Sequence, residues 1–255
     1  MTVTPRPIQP SIIVQDAGFG RLKLTSKHPL GEINQTLADL FAGCARKFPD
    51  RTVIAEKNSE GSYTTLSYQK AYEAARAVAA QLIKLEGGQN TPLMILSGAS
   101  RAHFVVSWGA ILAGVPYVPV SGNYATVPAA FGKLKAVFET TKPVFVWSEN
   151  YAVQWEALRR TALADAPLVW LGEQAPGSSI SLQPKANRAS VRMVDERAAT
   201  FSSDTVARYM FTSGSTGSPK GVIHTHGMIT TMLAARAALG EDEPDAAPPR
   251  VLDWM

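Results

Sequence analysis

Apolar positions along this chain fall into two alternating rhythms. From Thr36, "TLADLFAGCARKF" sets Leu37, Leu40, Phe41, Cys44 and Phe48 on one helical face. "PDRTVIAEK" then reads as a turn and a short strand. Ser67 is placed to cap a helix from Tyr68 to about Leu85, with Ala71, Ala75, Val78, Ala79, Leu82 and Ile83 as its apolar face. "PLMIL", Pro92 to Leu96, has the length and the turn-forming flank, Ser97-Gly98, of a buried strand. A helix is predicted from Arg101 to Ala113, stopped by Gly114. Extended "VPYVPV", helical "PAAFGKLKAVFET", strand "PVFVW", helical "NYAVQWEALRRTAL" and strand "PLVWL" follow in turn.

This exchange of short apolar strands and amphipathic helices predicts an α/β fold, with layered sheets, flanking helices and mostly parallel strands. Residues 172 to about 200 are polar and poorly periodic, and read as a surface excursion with one edge strand. "VARYMF" returns to a strand, and "GMITTMLAARAALG" is a helix ending near Gly240. "EDEPDAAPP" is an exposed linker, and "VLDWM" opens a further apolar element. Residues 1–30, broken by proline, are expected to form a loose arm, and residues 31–255 one partial domain.

Composition narrows the class. Hydrophobic residues make up 45% and charged residues 18%, as in a globular protein with a real core. A net charge of +4 favours anionic ligands, but no dense Lys/Arg block points to nucleic acid. The one cysteine, Cys44, excludes an internal disulfide and fits a reducing, cytoplasmic setting. "FVVSWGAILAGVPYVPV" is interrupted by Gly114, Pro116 and Pro119, so it reads as helix, turn and strand, and no membrane partner is expected. Trp108, Trp147, Trp155 and Trp170 read as packing residues.

The densest chemistry lies in "YMFTSGSTGSPKGVIHTH", Tyr209 to His226. Close glycines let backbone N–H groups turn toward an anion. Thr212, Ser213, Ser215 and Thr216 add hydroxyl donors, and Lys220 adds a mobile positive charge. No acid interrupts the stretch, so nothing in it repels a polyphosphate. The Walker pattern fails, because Lys220 stands between Pro219 and Gly221. The dinucleotide fingerprint fails too, since the residues after the loop, "GVIHTH", look extended. His224 and His226 could be a metal pair, but they lack a nearby third ligand and read better as bracing residues.

Here the residues carry a resemblance. "TSGSTGSPKGV" resembles the phosphate-binding loop of the adenylate-forming enzymes, which include acyl- and aryl-CoA synthetases and peptide-synthetase adenylation domains. "ILAGVPYVPV" and "TTLSYQKAYEAARAVAAQL" resemble upstream segments of that family, in the same order. "PYVPVSGNY", "FGKLK" and "LDWM" are most similar to feruloyl-CoA synthetases and related aryl-acid ligases. The resemblance implies that Thr212, Ser213, Gly214, Ser215, Thr216, Gly217 and Lys220 hold the β- and γ-phosphates of ATP with Mg2+. It implies an aromatic carboxylic acid as substrate and coenzyme A as cosubstrate.

Members of that family continue well beyond the length seen here. The magnesium-binding threonine–glutamate motif, the ribose-binding aspartate and the lysine of the mobile C-terminal domain have no counterpart in these 255 residues. The chain is therefore expected to be the incomplete N-terminal part of the ligase large domain, with no catalytic residue of its own. Three readings follow: the front part of an aryl-CoA ligase; a non-catalytic polyphosphate binder, or one half of a split ligase whose second chain supplies the remainder; or part of an adenylation domain that feeds a carrier protein.

Overall fold

The computed structural model describes residues 11–31, 33–34, 36–172, 187–212 and 219–239. The chain begins with β1 (Ile12–Asp16), β2 (Leu22–Ser26), α1 (Leu37–Lys47), β3 (Thr52–Lys57), β4 (Tyr63–Ser67), α2 (Tyr68–Lys84), β5 (Leu93–Leu96) and α3 (Arg101–Ala113). It continues with β6 (Tyr117–Val120), α4 (Gly122–Thr126), α5 (Phe131–Thr141), β7 (Phe145–Ser148), α6 (Tyr151–Arg160) and β8 (Val169–Leu171). α7 (Arg188–Ala198), β9 (Val206–Thr212), β10 (Lys220–Thr225) and α8 (His226–Leu239) complete the order.

Helix starts follow capping chemistry. Thr36, Ser67, Ser100, Asn150 and Asn187 each accept a backbone N–H from the first turn of α1, α2, α3, α6 and α7. α3 ends at Gly114, whose φ of 70° suits a residue without Cβ.

A six-stranded sheet in the order β10-β9-β6-β5-β7-β8 forms the centre. β5, β6, β7, β8 and β9 run parallel, and β10 returns antiparallel on β9. β5 is buried along its whole length. Its alternate side chains feed two cores. Leu93 and Ile95 meet Phe41, Leu82, Leu112 and Phe145 below α1, α2 and α3. Met94 and Leu96 meet Val118, Leu134, Val146 and Leu158 on the side of α5 and α6. Burying each such side chain contributes roughly 1.5–3 kcal/mol. Trp147 is buried, and Trp108, Trp155 and Trp170 are half-buried, with Trp155 edge-on to Trp170.

The predicted strands and helices from residue 36 to residue 171 stand, with shifts of detail. The buried stripe of α1 is Leu37, Ala38, Phe41 and Ala45, while Leu40, Cys44 and Phe48 are half-buried. Burial raises the pKa of the Cys44 thiol, with Lys47 opposing weakly. Residues 63–67 form β4, which pairs with β3 as a separate two-stranded sheet. Within the expected loose arm, β1 and β2 form an antiparallel hairpin whose residues are all exposed.

The polar stretch before β9 holds a correction. Residues 188–198 form α7, a helix where an edge strand was expected. Its composition hides it, because only Ser190 and Val194 are buried. Arg76 holds it to α2 by pairing with Asp195 and donating to the Val191 carbonyl, and Arg197 donates to the carbonyls of Gly87 and Ala113. Residues 173–186 and the "EDEPDAAPP" and "VLDWM" segments lie outside the described residues.

Two contacts generate predictions. α2 and α3 meet at Gly109, where an added Cβ would lie 2.5 Å from the Val78 Cβ and 3.1 Å from the Ala75 carbonyl oxygen. Gly109→Ala is expected to destabilise the fold by about 1–3 kcal/mol in urea titration, in spite of its helix-propensity gain, because the helices must separate.

The second contact is His226, whose side chain is fully buried. Its Nδ1 accepts the Leu37 N–H at 3.2 Å and its ring stands edge-on to Phe201. Burial lowers its pKa to about 4, with Asp39 acting weakly the other way. The unfolded chain therefore takes up this proton first as pH falls. The contribution is intact above about pH 6.5 and is lost between there and pH 4, amounting to about 3 kcal/mol. Urea titrations at pH 7 and pH 4 are expected to show a smaller acid loss in His226→Asn, which keeps an acceptor for Leu37 but does not titrate.

Candidate functional site

The glycine-rich loop joins β9 to β10. Their antiparallel register sets Thr212 directly across from Lys220, so the two residues flank the loop mouth. Both are exposed. Because β9 runs parallel to β6, the loop leaves the sheet at its carboxyl edge, where phosphates are commonly held in layered α/β folds. Ser213, Gly214, Ser215, Thr216 and Gly217 lie outside the described residues.

Local packing explains the hairpin. Gly221 pairs with Phe211, and a Cβ on Gly221 would sit 3.3 Å from that ring. Phe211 thus lies across the glycine and covers backbone that has no side chain. Next along β10, Val222 and Ile223 are 42% and 55% exposed. Met228, Met232 and Leu233 of α8 are exposed as well. β10 is the last strand of its sheet among the described residues, so its outer backbone edge has no strand partner there.

The His-x-His pair is divided between two tasks. His224 Nδ1 accepts from Arg208 Nε at 3.1 Å, and Arg208 Nη1 donates to the Tyr117 hydroxyl at 3.2 Å. Burial and then the adjacent guanidinium lower the His224 pKa. His226 turns inward to α1 instead. A guanidinium beside one ring and a backbone donor on the other make this a poor place for a cation. Among the described residues, no three His, Cys, Asp or Glu side chains gather as a metal site.

The same sheet edge carries a second polar group. Ser97, following β5, lies 2.9 Å from His103 Nδ1. Ser148, the last residue of β7, donates to Gln154 Oε1 at 2.6 Å, and Gln154 Nε2 donates to the Leu96 carbonyl at 2.7 Å. The strand order reverses at β5, which is where a ligand crevice commonly opens. Gln154 thus bridges the ends of β5 and β7 at that junction, while Thr212 and Lys220 are exposed at the β9–β10 mouth.

Sequence reasoning missed two residues at the foot of the hairpin. The Gln89 amide accepts the Val206 N–H at 2.9 Å and donates to the carbonyls of Val206 and Gly114 at 3.1 and 2.8 Å. Arg208 was read as one more strand residue. Neither carries a sequence signal, since their partners are remote along the chain.

The donor set suits an anion. Thr212 and Lys220 present a hydroxyl and an ammonium, and no Asp or Glu stands between Val206 and His226. These residues fit a polyphosphate, whereas they offer no carboxylate to a bare Mg2+ ion.

Comparison with known proteins bears on the fold and the family. The chain is 29% identical over 195 residues to a sulfoacetate–CoA ligase of Cupriavidus necator, covering 76% of this chain and 35% of the relative. It is 27% identical over 240 residues to the long-chain-fatty-acid–CoA ligase ACSBG2 of Mus musculus, covering 84% and 32%. In fold it is similar to McyG A-PCP complexed with phenylalanyl-adenylate, with a TM-score of 0.59 at 20% identity, over 82% of this chain and 31% of that one. The chain therefore spans a minor part of the length of these relatives. No helix of the described residues is long and apolar enough to cross a membrane. The model of the AMP-binding enzyme family matches residues 41–250, and the chain belongs to that family.

Proposed function

We propose that this chain is the polyphosphate-holding, N-terminal part of an ATP-dependent, AMP-forming acid–CoA ligase. The observation that carries the proposal is the pairing of Thr212 with Lys220 across the mouth of a loop without acids, at the carboxyl edge of the sheet. In this reading Thr212, Ser213, Gly214, Ser215, Thr216, Gly217 and Lys220 cradle the β- and γ-phosphates. Lys220 is a phosphate clamp, whose charge offsets the repulsion between ATP and an approaching carboxylate. Mg2+ arrives with the nucleotide, and coenzyme A is the acyl acceptor. The aromatic, feruloyl-like character of the acid rests on "PYVPVSGNY", "FGKLK" and "LDWM". The lone cysteine supports a reducing, cytoplasmic setting.

A second reading, an adenylation domain that serves a carrier protein, draws on the likeness to McyG A-PCP complexed with phenylalanyl-adenylate. In this reading the activated acid passes to a carrier thiol instead of coenzyme A. Either way, the remaining contacts to nucleotide and acid come from the remainder of the ligase, in the same chain or a second one.

Two outcomes are expected. Calorimetry with Mg2+–tripolyphosphate, ATP and GTP is expected to show weak binding that is blind to the base. Lys220→Ala should weaken each ligand by roughly 1.5–3 kcal/mol, as for a charged hydrogen-bond donor. Tight binding of ATP without tripolyphosphate or GTP binding would contradict the cradle. Carboxylate-dependent pyrophosphate exchange into ATP, assayed with ferulate, coumarate and benzoate, is expected to be absent from these 255 residues alone, because positioning groups are worth orders of magnitude in rate. Ordinary enzymatic turnover would show that the chain is catalytically complete.

A further inference from the structure

The hairpin that carries the loop is joined to the sheet by little backbone pairing. β5 meets β6 at four register positions, from Leu93↔Tyr117 to Leu96↔Val120. β9 meets β6 at Tyr117↔Arg208 alone. Beyond that pair β9 runs on to Thr212, and the whole strand of seven residues, counted from Val206, extends about 20 Å. A tilt of about 5° at the foot would move the mouth by roughly 2 Å, more than a hydrogen bond tolerates.

Side chains hold the foot instead. Gln89 acts as a substitute strand residue. Its amide both accepts from and donates to the backbone of Val206, the first residue of β9, and also donates to Gly114 at the end of α3. Just past the returning strand, at the first residue of α8, the His226 N–H donates to the Thr205 carbonyl at 2.9 Å, which closes the foot. The His226 imidazole then reaches out of the hairpin to the Leu37 N–H, a first-turn donor of α1 with no intrahelical acceptor. Its ring rests edge-on against Phe201, and Phe201 in turn fits over Gly114, where a Cβ would come within 2.8 Å. His226 Nε2 is buried without a partner among the described residues, so the Nδ1 bond and the ring contact fix the imidazole.

We infer that Gln89 and His226 form a clamp at the foot of the hairpin, and that they are positioning residues for the polyphosphate loop. The clamp sets the angle at which the loop mouth is presented, and it ties that angle to α1 and α3. The consequence for ligand binding rests on the polyphosphate reading above, whereas the clamp itself is a statement about the hairpin.

The test uses the full chain with Gln89→Leu, His226→Phe and His226→Asn. Gln89→Leu keeps the bulk of an exposed side chain without its hydrogen bonds. His226→Phe keeps a ring against Phe201 and leaves the Leu37 N–H without an acceptor. The His226→Asn side chain can still accept that N–H. Amide hydrogen exchange across residues 206–225 is expected to quicken at least fivefold in Gln89→Leu and His226→Phe, with β5 and β7 unchanged. Mg2+–tripolyphosphate affinity should fall three- to tenfold in the same two variants and stay within twofold of the parent in His226→Asn. Unchanged exchange in the hairpin of Gln89→Leu overturns the clamp, and this variant decides alone where His226→Phe does not fold. Quickened exchange with unchanged affinity overturns the positioning role. A parent that binds no tripolyphosphate refutes the polyphosphate reading and the positioning role with it, while exchange still judges the clamp.

Discussion

The structure depends on one strand buried on both faces. β5 lies between β6 and β7, paired on each edge and covered above and below. Four apolar residues in a row can be stable there only if every backbone group finds a strand partner and each face finds a helix layer. Leu93 and Ile95 draw α1, α2 and α3 to one side, and Met94 and Leu96 draw α5 and α6 to the other. The parallel direction of the neighbours follows from the crossover helices. It sends the carboxyl ends of β5, β6, β7 and β9 to one edge, where the polar loops gather.

That edge is unequal along its length. At the reversal point Gln154 bridges the ends of β5 and β7, accepting from Ser148 and donating to the Leu96 carbonyl. At the other side, β9 and β10 carry their loop beyond the sheet, with exposed Val222 and Ile223 beside it. The proposed phosphate loop therefore springs from a hairpin that meets β6 at one register position, Tyr117↔Arg208. Such a hairpin relies on a few side-chain ties, Gln89, Arg208 and His226, for what backbone pairing does elsewhere.

Most of the fold is legible in the sequence for local reasons. Ser67 announces a helix start because a cap needs only a side-chain oxygen and the next turn. Gly114 announces a helix end because its conformation disfavours other residues. α7 escapes this logic. Its stability comes from Arg76 and Arg197, whose partners are far along the chain, while its own apolar content is small. β4 escapes as well, since a short half-exposed strand beside a cap residue looks like the approach to a helix.

By itself the sequence determined the chemistry of the loop: donors without acids, glycines without Cβ, and a lysine at the exit. Those are properties of residue type and local spacing. It also determined the alternation of strand and helix from which the α/β class follows. Tertiary structure alone decided that Thr212 and Lys220 face each other, that His224 and His226 part to different neighbours, and that Gln89 stands in for a strand. Each of these depends on where a distant segment's unpaired backbone or charged group comes to rest. Hydrophobic periodicity records which residues are buried, but it carries no information about which buried polar group meets which partner.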